Sequence, residues 1–219
     1  MHYFPSRFAA GNLIADQLEP KYRYENCVVL ALGNGSVMVG AAIAQRLHCA
    51  INLLVLSGIR LPQELADIAV MDNFGGITYD DSLSPGELEE LRSEYFNYIE
   101  QQKLQRLFEM NRLLGSGGVI EPDMLRDNNI IIVSDGLANG FSMKAAKQFL
   151  KPIRTERIIM TTPFASTGAV DIMHMFADEM VCLNVLEDII SIDHYYEDPS
   201  VPDQETVITV IQDIVLNWK

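Results

Sequence analysis

Two apolar runs, "CVVLAL" at residues 27–32 and "NIIIV" at residues 129–133, leave no room for the polar alternation of a strand with one wet face. Apolar residues at consecutive positions predict strands covered on both sides. "CVVLAL" is followed by "GNGS" and then by "VMVGAAIAQRL", where Val37, Gly40, Ala41 and Ala44 keep helical spacing, which predicts strand, turn and helix. "INLLVL" at residues 51–56 predicts a second buried strand. The same order returns in "NIIIV", a glycine-containing turn, "MKAAKQFL", "RIIMTT", "GAVDIMHMFA" and "EMVCLNV". Strands alternating with helices imply a parallel α/β sheet.

Between the two halves, residues 84–114 read as one long helical stretch. Ser84 as N-cap, Pro85 at the first helical position and Glu87 three residues after the cap form a capping box, and Gly115 to Gly118 supply a stop. Some 30 residues of helix span about 45 Å, longer than a compact sheet needs, so a break or an excursion from the body is expected. Two readings stay open: a lid or dimer arm, or an amphipathic helix packed on the sheet with a solvated face.

Composition narrows the picture. The 219 residues are 48% hydrophobic and 21% charged, which suits one compact domain over residues 1–219 with residues 84–114 inserted in it. Sixteen Lys and Arg against 30 Asp and Glu give a net charge of −14 with no basic run, which argues against nucleic acid or an anionic membrane as partner. Residues 26–45 carry no charge over about the length of a membrane span, but "GNGS" in their middle favours two shorter elements. Cys27, Cys49 and Cys182 sit singly, and "MHYFPSRF" has no apolar core of signal-peptide length, so a reducing cytoplasm is the expected compartment.

The candidate chemistry lies in "IIIVSDGLANGFSM". A strand feeding a glycine-containing turn at a helix N-terminus offers unpaired backbone N–H groups and the positive end of the helix dipole, which favour an anion. Gly136 and Gly140 are expected to supply backbone freedom, Ser142 a hydroxyl donor, and Asp135 an acceptor for hydroxyls beside a phosphate. A sugar phosphate meets both demands.

This stretch resembles the phosphoribosyl-pyrophosphate (PRPP) loop of type I phosphoribosyltransferases, in which an apolar strand precedes two acids and a Thr-Gly-containing phosphate loop. "RFAAGNLIADQL", "VVLALGNGSVMVGAAIAQRL", "INLLVL", "ELADIAV" and "HYYEDPSVPDQETVITVI" follow, in order, the blocks of one branch of that superfamily. The resemblance implies a doubly wound parallel sheet of the type I phosphoribosyltransferase fold, with a small hood from the terminal segments. It implies transfer of ribose 5-phosphate from PRPP to a nitrogen nucleophile, with Mg²⁺ on the departing pyrophosphate. By position Asp135 is the catalytic acid beside the ribose. Ser134, Asp135 and Gly136 to Ser142, by way of Leu137, Ala138, Asn139, Gly140 and Phe141, form the ribose and 5-phosphate cradle. Asn34, Gly35 and Ser36 occupy the place of the pyrophosphate loop.

The departures are equally specific. Ser134 stands where the first acid belongs and Asn139 where the threonine does. Gly33, Asn34, Gly35 and Ser36 replace Pro-Arg-Gly-Gly, and Ser57 and Gly58 replace a basic pair. Losing three charged contacts to a pyrophosphate costs several kcal/mol, about a thousandfold or more in affinity. Two functions therefore stand side by side: a transferase acting on PRPP, or a catalytically silent relative binding a phosphorylated ribose, a nucleotide or a partner protein for regulation. A homo-oligomer, a dimer among the options, is the expected assembly.

Other readings are weaker. Met38 breaks a dinucleotide G-x-G-x-x-G, and Leu53 is no acid. Residues 34–36 read equally well as a plain tight turn. His2, His48, His174 and His194 show no metal-ligand spacing. Asp80, Asp81 and Asp198 read as turn residues more readily than metal carboxylates, and His194, Tyr195 and Tyr196 as core more readily than a wall for a base.

Overall fold

The computed structural model describes residues 4–62, 64, 67–80, 83–114, 120 and 122–214. Helix α1 (Arg7–Tyr22) leads into strand β1 (Cys27–Ala31), helix α2 (Asn34–Leu47) and strand β2 (Ala50–Leu53). Three short strands follow, β3 (Leu56–Ile59), β4 (Ala69–Asp72) and β5 (Ile77–Tyr79), then helices α3 (Pro85–Glu94) and α4 (Phe96–Leu114). The second half runs β6 (Asn129–Val133), α5 (Phe141–Leu150), β7 (Arg157–Ser166), α6 (Thr167–Phe176), β8 (Glu179–Leu186) and α7 (Gln204–Asp213).

The main sheet has the order β2-β1-β6-β7-β8, and every pairing is parallel. Its strands alternate between two cores. Val29, Ala31, Ile131 and Val133 pack with α1, α2 and α7 through Ile14, Leu18 and Ile43. Leu30, Ile130, Ile132 and Met160 pack with α5 and α6 through Met143, Leu150 and Met173. All five residues of β1 and of β6 are buried, so the apolar runs have the physical cause read from the sequence. The sheet is doubly wound, as expected, and residues 26–45 divide into β1 and α2. No helix among the described residues is long and apolar enough to cross a membrane.

Two expectations need correction. "INLLVL" is not one strand: after Leu53 the chain leaves the parallel sheet, and β3 pairs antiparallel with β4 in a separate sheet ordered β3-β4-β5. The Val55 amide donates to Asn73 Oδ1 (3.3 Å), which holds the crossover, and β-branched periodicity cannot signal a change of sheet. "GNGS" is not a turn between elements, because α2 starts inside it with Gly33 as N-cap at φ 108°. That left-handed backbone is the reason for a glycine there.

The stretch at 84–114 breaks at Tyr95 into α3 and α4. The capping box of Ser84 and Glu87 is formed, whereas the glycine stop at 115–118 lies outside the described residues. Helix α4 packs on the small sheet rather than the main one, burying Ile99 and Met110 against Ile59 and Met71 while Phe96, Leu104 and Phe108 face solvent. The hood joins both ends of the chain: the Phe4 amide donates to the Tyr195 carbonyl (2.9 Å) and the Glu197 amide to the Phe4 carbonyl (2.9 Å).

Candidate functional site

The order in which the chain adds strands to the main sheet reverses between β1 and β6, and in open α/β sheets the crevice beyond the carboxyl ends of the strands at that point holds ligands. The loops after these two strands are residues 32–36 and 134–142. The topology therefore brings both candidate loops of the sequence to one crevice, yet the structure divides it into a closed half and an open half.

The closed half centres on Asp135. Arg7, on the inward face of α1 and only 3% exposed, donates from Nε to Asp135 Oδ2 (2.8 Å). Its Nη1 donates to the carbonyls of Pro199 (2.9 Å) and Ser200 (3.2 Å), and Nη2 pairs with Asp193. The guanidinium also lies 4.6 Å from the Tyr196 ring centroid. Burial alone pulls its pKa down, but the bonds to Asp135 and Asp193 more than offset this, and Arg7 stays charged. Ser36 takes the Asp135 amide on its Oγ (3.2 Å) and has Asp135 Oδ1 (3.0 Å) and the Leu32 carbonyl (3.2 Å) within reach of its proton. The Tyr196 hydroxyl donates to the Asp135 carbonyl; burial, reinforced by the Asp135 charge, pushes the phenol up so that it remains a donor.

Gly35 exists for this closure, since a Cβ there would sit 2.1 Å from Asp135 Oδ2 and 2.8 Å from Arg7 Nε. Asn34 Nδ2 donates to the Pro202 carbonyl (3.3 Å). The loop start is equally engaged. Buried Ser134 donates to the Gly136 carbonyl (2.9 Å), and Leu137 pairs with β7, its amide donating to the Phe164 carbonyl (3.0 Å).

The open half begins at Ala138. The amides of Ala138, Asn139, Gly140, Ser142 and Met143 make no hydrogen bond among the described residues, and they gather at the N-terminus of α5. Asn139 Oδ1 accepts from the Phe141 amide (3.2 Å). Gly136 and Gly140 are not required by backbone angle, contrary to expectation: Gly140 sits at φ −83°. They are required by space, because a Cβ would meet the Phe164 ring at 2.5 Å in one case and Ile172 at 2.6 Å in the other.

This N-terminus lines a cavity of about 480 Å³, with Asn139, Ser142 and Lys144 on one wall and Arg60, Asp67 and Asp80 on the other. The small sheet docks against α5, with Phe74 stacked on Phe149 at 5.1 Å, and so supplies the second wall. Lys144 Nζ donates to the Tyr79 carbonyl (3.4 Å) and Arg60 Nε to Asp67 Oδ1 (2.9 Å).

Of the sequence-predicted residues, Asn139, Gly140, Phe141 and Ser142 line this cavity, whereas Ser134, Asp135, Gly136, Leu137 and residues 34–36 form the closed half. Ser57 and Gly58 lie in β3. Arg7, Arg60 and Lys144 were not foreseen. Arg7 had a signal, an arginine in register with Ala10, Gly11, Ile14 and Leu18 on the buried face of α1. Tyr195 and Tyr196 pack in the hood against Phe4 and Phe164, and Asp198 caps a turn by accepting from the Ser200 amide (3.0 Å). Asp81 lies outside the described residues.

No family model matches the chain. A protein of Mycobacterium tuberculosis, curated from two strains under the name "Putative phosphoribosyl transferase", is 28% identical over 185 residues. The match takes in 84% of this chain, and the chain spans about 40% of that relative's length. Among solved structures, TT1426 of Thermus thermophilus covers 100% of this chain and 99% of its own at 25% identity and a TM-score of 0.73. The AQ2163 protein of Aquifex aeolicus, at 13% identity and a TM-score of 0.51, shares the fold over 96% of this chain and 85% of its own. The curated relatives thus carry the name "Putative phosphoribosyl transferase", and the similarity to them runs through 84% of this chain, in line with the resemblance read from the loops.

Proposed function

We propose that the open half of the crevice binds a phosphorylated ribose by its phosphate, and that the chain acts on PRPP or a related ribose phosphate in the manner of a phosphoribosyltransferase. The observation that carries this reading is the set of amides at the N-terminus of α5 that make no hydrogen bond among the described residues, of which Asn139, Gly140 and Ser142 belong to residues lining a cavity shared with Lys144. Backbone N–H groups and the helix dipole favour the dianion, the Ser142 hydroxyl adds a donor, and the Lys144 charge offsets part of the acidic background. Transfer would break the bond from C1 of the ribose to the pyrophosphate oxygen, which keeps the electron pair, while a nitrogen lone pair forms the new bond to C1.

The implied Mg²⁺ fits only in one manner. No three His, Cys, Asp or Glu side chains come together among the described residues, so these offer no metal nest of their own. The ion would arrive on the ligand's phosphate oxygens, with Asp67 and Asp80 as the carboxylates facing the cavity. When bound, it would neutralise charge on the departing group.

A second reading is favoured by one specific feature. Both carboxylate oxygens of Asp135 have protein partners, so binding ribose hydroxyls there requires Arg7 or Ser36 to let go. A catalytically silent relative that binds a sugar phosphate or nucleotide for regulation needs no such exchange.

Calorimetry with ribose 5-phosphate, PRPP with Mg²⁺ and nucleoside monophosphates separates the readings when run beside pyrophosphate release from PRPP over a panel of nitrogen nucleophiles. Turnover that vanishes in Asp135→Asn supports the transferase. Phosphate-dependent binding without turnover supports the silent relative, and indifference to every phosphorylated ligand removes both.

A further inference from the structure

The two helices of residues 84–114 present different surfaces to solvent. Helix α3 buries no residue and exposes all of its glutamates, as an ordinary solvated helix does. Helix α4 instead turns Asn97, Gln101, Leu104, Phe108 and Asn111 outward, at alternating steps of four and three residues, and none of them is charged. Leu104 and Phe108, at the centre of this stripe, are each 70% exposed, and Phe96 beside it is 60% exposed. The charges of α4 are drawn to the flanks, where Lys103 donates to Glu100 (2.7 Å) and Arg106 to Glu109 (3.4 Å). Steps of four and three trace the seam along which one helix packs on another. Large apolar side chains without charge are the mark of an interface centre, and here they lie on a chain of net charge −14.

We propose that the outer face of α4 is the contact surface of a homodimer, in which the α4 helices of two copies of this chain pack antiparallel across a twofold axis. Charge selects both the occupant and its direction. Residues 85–100 hold five Glu and one Arg, a charge of −4, whereas residues 101–112 hold two Arg and one Lys against one Glu, a charge of +2. Antiparallel pairing sets the acidic half of one copy against the basic half of the other, and parallel pairing sets like against like. The stripe supplies a matching register. With Leu104 of one copy opposite Phe108 of the other, Gln101 falls opposite Asn111, so apolar meets apolar and amide meets amide. The 19 residues of α4 give a seam about 28 Å long. The other face of the helix is already committed, with Ile99 and Met110 packed on the small sheet, so the stripe is left for a partner. None of this depends on what the α5 N-terminus binds.

Sedimentation velocity of the full chain at micromolar concentration is expected to show a dimer that dissociates on dilution. Leu104→Glu and Phe108→Glu should each raise the dissociation constant at least about thirtyfold, while Leu13→Glu, at an exposed leucine of α1, should change it less than about twofold. Both stripe positions are exposed in the single copy, so thermal unfolding of the diluted variants should match that of the diluted parent. Arg112→Glu removes part of the charge match and should weaken the dimer about twofold to fivefold. Direction is read by a short bismaleimide on Gln105→Cys and on Asn97→Cys, each in a Cys182→Ser background, since Cys27 and Cys49 are buried. Residue 105 lies beside the proposed twofold axis and should link to its counterpart, whereas the two copies of residue 97 lie about 27 Å apart and should not. A monomer at every concentration, or a dimer that Leu104→Glu and Phe108→Glu leave intact, overturns the proposal. Linking through Asn97→Cys as readily as through Gln105→Cys overturns the antiparallel arrangement and the charge argument with it.

Discussion

The two halves of the crevice use the same kind of loop after neighbouring strands, and they put its polar groups to opposite uses. Around Asp135 each donor and acceptor meets another inside the protein: Arg7 spans Asp135, Asp193 and the carbonyls of Pro199 and Ser200, while Ser36 closes the other side. Past Ala138 the amides of Asn139, Gly140 and Ser142 make no hydrogen bond among the described residues, and these three residues line a cavity. The difference lies in what packs above each loop. A hood built from both chain ends presses a buried cation onto the first, whereas the small antiparallel sheet stands off the second and leaves space. A loop resemblance can identify the crevice; which half is available is decided by distant segments.

The comparison breaks most sharply at Arg7. Arg7→Met leaves Asp135 buried without its cation and frees two carbonyls of the C-terminal segment, and removing one partner of a buried pair costs about 3–5 kcal/mol. Urea unfolding should show that loss. Arg7→Lys should recover less than half of it, because an ammonium cannot serve Asp135, Asp193 and two carbonyls in one plane. A loss under about 1 kcal/mol would mean that the closed half opens readily, and the transferase reading would gain.

Gly35→Ala tests the same closure by intrusion. Its methyl would fall on Asp135 Oδ2, so either the carboxylate or α2 has to shift, at a cost of about 1–3 kcal/mol. Affinity for ribose 5-phosphate should stay within about threefold of the parent if the open half is independent, since additivity holds for sites that share no partner.

Legibility followed the same division. The apolar runs at 27–32 and 129–133 announced β1 and β6 because burial on both faces leaves a continuous signature, and the crevice then followed from the topology. The capping box at Ser84 was equally local and equally readable. The small sheet was not: β3, β4 and β5 have 4, 4 and 3 residues, and they follow a crossover at which the Val55 amide bonds to Asn73, a residue 18 positions on. Without that sheet neither Arg60 nor the cavity wall can be placed. Arg7 carried only a faint mark, and its partners Asp193, Pro199 and Ser200 lie more than 180 residues away in the chain. The roles expected of Gly136 and Gly140 fall on the right residues for a reason invisible in sequence, namely the Phe164 ring and the Ile172 side chain beside them.

Lys144 sharpens the open side. Lys144→Gln keeps the stem and removes the charge, so stability should change by under about 1 kcal/mol while affinity for ribose 5-phosphate falls about tenfold or more. Raising the salt from about 0.01 M to 1 M shortens the screening length from about 30 Å to 3 Å and should weaken the parent more than the variant. Equal salt dependence in both would place the ligand away from Lys144.

Ser142→Ala is the mildest of these changes and separates a backbone cradle from a side-chain one. Ser142 is the second residue of α5, so the substitution suits the helix and leaves the neighbouring amides where they are. If the amides and the dipole carry most of the phosphate, removing one hydroxyl should cost about 1 kcal/mol, roughly a fivefold loss of affinity for ribose 5-phosphate by calorimetry, with no loss of stability. A hundredfold loss would mean that the hydroxyl is a principal ligand and that the five amides contribute little. No change would mean that the phosphate sits nearer Ala138 and Asn139, at the border with the closed half, where Asp135 is the nearest fixed negative charge in the loop. That last outcome would also predict that Arg7→Lys, by loosening Asp135, alters binding of the sugar phosphate, which the division of the crevice forbids.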